Sequence, residues 1–141
     1  MIKDINKSVK VFTAAFKLMQ KLELSDNVVL SNLIFLSDVD GCIQVNKEMV
    51  DLIAEKSRLH SGTVNNSLGR LCKVVPQPLD GKINVNWGGP ILIRTSRGNY
   101  RLSPMYIYKK GLASRSKDVK DFTSIYTNLH DRTFHPAKTL E

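Results

Sequence analysis

Hydrophobic positions in this chain recur first with helical and then with strand period. In residues 8–21, Phe12, Phe16 and Met19 stand at i, i+4 and i+7 beside Ala14 and Ala15, which predicts an amphipathic helix whose aromatic stripe enters the core. Leu24, Ser25, Asp26 and Asn27 supply capping residues for a helix over residues 28–36, apolar almost throughout, although its β-branched side chains leave a strand open. Asp38-Val39-Asp40-Gly41 reads as a turn and Cys42-Ile43-Gln44-Val45 as a short strand.

Two short helices follow. Asn46 can cap one over residues 47–58, with Met49, Val50, Ile53 and Ala54 on one face and Lys47, Asp51 and Glu55 on the other. Ser61 can cap the next, in which Val64, Leu68 and Leu71 form the apolar stripe. Its other face carries Thr63, Asn65, Asn66, Gly69 and Arg70, with His60 or Ser61 at the entry, and has no carboxylate. Two helices joined by a tight turn, the second presenting amides and hydroxyls, suit a helix-turn-helix. Amides pair with adenine edges, hydroxyls serve bases or phosphates, and arginine suits guanine or the backbone, whereas a carboxylate there would repel phosphate.

Pro76 and Pro78 then exclude helix, Asp80-Gly81 marks a turn, and residues 82–87 alternate as a strand. Gly88-Gly89-Pro90 breaks it. Residues 91–94 begin another strand, residues 95–99 make a glycine-containing tip, and Tyr100-Arg101-Leu102 returns. A hairpin directly after a reading helix is a wing, and Arg94, Arg97, Asn99 and Arg101 would set it against phosphates or a narrow minor groove. Further on, Val119, Phe122, Ile125, Tyr126 and Leu129 trace a helical stripe over residues 118–130, too apolar to leave in water. It should pack on its own domain or on a second copy. The first helix is the other candidate for a homodimer contact, since two-fold proteins present paired reading helices to DNA half-sites.

Charge sharpens the picture. Residues 1–60 hold 8 basic and 8 acidic groups, so the net charge of +8 arises entirely in residues 61–141, and residues 94–120 contribute eight of the cations against Asp118 alone. That asymmetry points to a polyanionic partner. His60, Lys73, Lys109 and Lys110 become candidate phosphate contacts. With 141 residues, 42% hydrophobic and 24% charged, the chain fits one ordinary globular domain. Two cysteines in apolar surroundings make no disulfide framework, and no run approaches the roughly 18 to 20 apolar residues of a membrane span, so the expectation is a cytoplasmic protein away from membranes.

Catalytic patterns are missing. Asp38, Asp40 and Gly41 begin like a calcium loop, but Cys42 and Met49 stand where oxygen ligands are needed, which leaves a plain turn. Tyr100, Tyr106, Tyr108 and Tyr126 lack the clustered histidines a nicking tyrosine requires, and His130 and His135 make an unconvincing metal pair. No phosphate loop, nucleophile elbow or dinucleotide fingerprint occurs. The expectation is no enzyme, no metal and no cofactor.

The stretches Asp51-Leu-Ile-Ala-Glu-Lys56, Thr63-Val-Asn-Asn-Ser-Leu-Gly-Arg-Leu71 and Arg97-Gly-Asn-Tyr-Arg-Leu-Ser-Pro104, with Lys110-Gly111 beyond, resemble the RepL-type plasmid replication proteins over roughly residues 28–111. Ser103 stands where that family favours asparagine, and residues 76–90 make a longer link into the wing. The resemblance implies a winged-helix initiator that binds duplex DNA at a replication origin. The expected fold is α+β, a mostly helical winged helix-turn-helix with a β-hairpin wing and a C-terminal helix. Residues 1–111 would hold the DNA-binding domain and residues 112–141 a basic linker and helix or tail. Because scaffold does not fix function, a transcriptional regulator and a protein-interaction module of a mobile element stand as alternatives. Host replication or transcription proteins are possible partners.

Overall fold

A computed structural model describes residues 9–73 and 90–129. The strand expected at residues 82–87, its preceding turn and prolines, Ser8, and His130 and His135 lie outside the described residues, whereas Lys10 and Val11, expected in the first helix, form a strand.

The fold is α+β, built from helices with two small antiparallel sheets. β1 (Lys10–Val11) leads into helix α1 (Thr13–Met19), followed by α2 (Leu24–Leu36), β2 (Cys42–Gln44), α3 (Lys47–Ser57), α4 (Ser61–Lys73), β3 (Leu92–Ser96), β4 (Asn99–Leu102), β5 (Ile107–Tyr108), a 3-10 turn (Leu112–Ser114) and α5 (Arg115–Leu129). β1 pairs with β5, while β2, β4 and β3 lie side by side in that order.

The first helix differs from its expectation. Phe12 is its extended N-cap, and the buried residues are Ala15 and Leu18, whereas Phe16 is 55% exposed. A seven-residue helix makes barely two turns, so the stripe is cut by the cap: Phe16 faces water, while Met19 still packs against the core. The second helix begins at Leu24, with no side-chain cap at Glu23. The expected capping residues are used elsewhere: Asn27 donates its amide to the Met19 carbonyl at 2.9 Å, closing α1, and Asp26 is turned into the protein.

The turn at Asp38 is held by its own carboxylate, which accepts from the Asp40 and Cys42 amides at 2.9 Å each. Gly41, at φ +79°, sits where a Cβ would come within 3.1 Å of the Leu102 carbonyl oxygen. Asn46 caps α3 by accepting from the Met49 amide at 2.9 Å. Arg58 ends that helix in the left-handed region. Helix α4 buries Val64, Leu68 and Leu71 against a common core that also takes Val29, Leu30, Leu33 and Ile53. Each such aliphatic side chain stabilises the fold by about 1.5–3 kcal/mol.

Alternation along the three-stranded sheet gives it two covered faces. Ile43, Leu92, Tyr100 and Leu102 meet the helical core, while Ile93 faces Phe122 and Tyr126 of α5. The C-terminal stripe therefore packs on its own domain, directly after the short 3-10 turn. Among the described residues no helix is long and apolar enough to cross a membrane.

Candidate nucleic-acid interface

Between α4 and the β3–β4 hairpin lies an open cleft of about 790 Å³. Asn65, Gly69, Cys72 and Lys73 line it from α4, Arg94, Arg97 and Tyr100 from the hairpin, and Asn46 and Lys47 from the start of α3. No carboxylate lines it among the described residues. Lys47, Lys73, Arg94 and Arg97 are all exposed, and none makes an ion pair with another described residue. Four cations close together without counter-charge create a positive potential that an anion relieves.

Local structure explains how they converge. The hairpin tip closes at Arg97-Gly98, with Gly98 at φ +77°, a backbone conformation glycine adopts without steric cost. The Asn99 amide reaches back to the Ser96 hydroxyl at 2.7 Å, and the Gly98 carbonyl accepts from Val45 at 2.7 Å, tying the tip to β2. Asn99 thus braces the tip. Lys47 enters because Asn46 fixes the entry of α3 beside that same strand end. Cys72, on the cleft floor, has its thiol pushed up to about 11 by burial, which leaves it un-ionised.

Several expected contacts lie elsewhere. Arg70 does not present a free guanidinium: it donates to the buried Asp26 carboxylate at 2.7 and 3.0 Å and pairs with Glu23 at 3.3 Å. Burial pushes the Asp26 carboxyl up, but hydrogen bonds from Arg70 and Ser67 outweigh it and hold it below the usual carboxylate range. Arg101 pairs in register with Ile93, so alternation sends it to the face opposite Arg94, where its guanidinium lies 6.0 Å from the Phe122 ring centre. Ser61 spends its hydroxyl on Asp51 at 2.9 Å.

Lys109 donates to the Ser37 carbonyl at 2.6 Å, and Lys110 pairs with Asp40 and, at 3.4 Å, with Asp118. Tyr108 donates to the same Asp118 carboxylate at 2.6 Å. These lysines close the Asp38–Gly41 turn onto β5 and α5. Asn66 and His60 are exposed and Thr63 is half-buried, all three outside the cleft lining. The arrangement brings together Asn65, Lys73, Arg94 and Arg97. It also takes in Gly69, which the sequence put on the same helix face, and adds Lys47 and Tyr100, which sequence reasoning did not place at the site. Only the placing of the α3 entry beside the hairpin could have pointed to Lys47, and that needs the long-range β2–β4 pairing.

Comparison with family models, with curated proteins and with solved structures returns no match to this chain.

Proposed function

We propose that this protein binds double-stranded DNA as a winged helix, with α4 as the reading helix and the β3–β4 hairpin as the wing. The observation that carries the reading is a cleft in which, among the described residues, no carboxylate intrudes and Lys47, Lys73, Arg94 and Arg97 stand unpaired around Asn65. Asn65 reads an adenine edge in the major groove, and the cations engage phosphates on either side. The physiological role proposed is initiation of plasmid replication, which rests on the resemblance of residues 51–56, 63–71 and 97–104 to the RepL-type proteins.

Fluorescence anisotropy with a labelled mixed-sequence duplex tests DNA binding. Four phosphate contacts give a log affinity against log salt slope of about −3 to −4. Binding that ignores salt, or no binding, would remove the reading. The replication role is tested by selecting the preferred sequence from a random pool and locating it: a site at the origin beside the gene fits initiation, and a promoter site does not.

A further inference from the structure

We infer that a sugar–phosphate strand of the bound duplex runs against Gly69, so that this glycine sets how closely DNA approaches α4; the inference rests on the DNA-binding reading above. Gly69 lies well inside the thirteen-residue α4, where glycine is the least favourable residue after proline. Nothing among the described residues requires it. Its backbone is outside the left-handed region, and a Cβ at this position would meet no heavy atom within 4 Å.

The contrast with other glycines is direct. Gly41 and Gly98 have positive φ, and at Gly41 a Cβ would crowd a carbonyl. Gly62 and Gly111 also have open space around them, but they stand in the first turn of α4 and before a 3-10 turn, where glycine costs little. Among the described glycines, Gly69 alone combines a helix interior, space clear of described atoms and a place in the cleft wall.

Its neighbours on the same stripe, one turn away in each direction, are Asn65 and Lys73. Arg94 and Arg97 face it from the hairpin. A side chain at residue 69 would therefore stand in the path between the two rows of cations. It would also hold the DNA away from Asn65, whose short side chain reaches a base edge only when the helix backbone comes close. A bare backbone at this point leaves room for a strand of phosphates and sugars to pass between helix and wing.

The test compares the wild type with Gly69→Ala and Gly69→Leu, using melting temperature and anisotropy on a mixed-sequence duplex and on a duplex selected from a random pool. Gly69→Ala should melt roughly 2–4 °C higher, and Gly69→Leu no lower than wild type. Gly69→Leu should bind the mixed-sequence duplex about tenfold more weakly, because the backbone is held off, and the selected duplex by at least that factor, because Asn65 is held off its base as well; Gly69→Ala should lose less. Unchanged affinity in Gly69→Leu, a loss confined to the selected duplex, or a fall in melting temperature in both variants would overturn the inference while leaving DNA binding intact. If the wild type binds neither duplex, the DNA-binding reading falls and takes this inference with it.

Discussion

Asp26 and Arg70 stand 44 residues apart in the chain, and the bond between them decides what one face of α4 can do. A carboxylate that is 2% exposed needs its full set of partners, and it receives them from the Ser67 hydroxyl at 2.7 Å and from the guanidinium of Arg70. Arg70→Ala should lower the urea midpoint of unfolding, by less than the loss of a fully buried pair because water reaches the guanidinium. It should leave the DNA affinity of the folded protein near wild type; a selective loss of binding without loss of stability would return Arg70 to the reading face. The folded-state pKa of Asp26 lies below its unfolded value, so the stabilisation is complete above about pH 4–5 and drains away as pH falls through the folded pKa. Asp26→Asn should therefore flatten the acid limb of the stability curve, measured by urea midpoints between neutral and acid pH.

Among the elements, the hairpin was the most legible in sequence, since a glycine tip between two alternating runs specifies it locally. What alternation alone could not give was the register. A shift between Arg94 and Ser96 sets which residues oppose β4, and this puts Arg94 across from Tyr100 but Arg101 across from Ile93. The three arginines of the hairpin consequently divide, two to the cleft and one to the opposite face of the sheet. Helix α3 and the core stripe of α4 were equally readable from spacing and from Asn46. β1 and β5 were not, because two-residue strands have no period, and Phe16 misled because spacing cannot show where a short helix is capped. Gly98→Ala tests the hairpin as an element: placing a Cβ at φ +77° should cost about 1–2 kcal/mol and weaken binding to all duplexes through a displaced Arg97. Wild-type stability and affinity in this variant would mean that the tip has another conformation.

The whole molecule holds its candidate interface from behind. The helical core supports one face of the β2–β4–β3 sheet, and α5 covers the other through Phe122 and Tyr126 against Ile93, with the Arg101 guanidinium beside the Phe122 ring. Arg115 fixes the start of this helix: it donates to the Pro104 and Met105 carbonyls at 3.0 and 2.8 Å while lying 3.6 Å from the Phe12 ring centre. Residues 112–129 therefore support the hairpin, and cutting their main contact should act on the cleft at a distance. Phe122 is 1% exposed, so Phe122→Ala should cost about 3–4 kcal/mol in urea unfolding, whereas Leu129→Ala, at a side chain 46% exposed, should stay within roughly 0.5 kcal/mol. If α5 braces the hairpin, hydrogen exchange should quicken at the hydrogen-bonded amides of β3 and β4 in Phe122→Ala more than in α2 and α4, and DNA affinity should fall although no cation of the cleft has been touched. Uniform quickening across all elements would instead make α5 one part of a single cooperative core, and unchanged exchange throughout would show that the hairpin is held by the helical core alone.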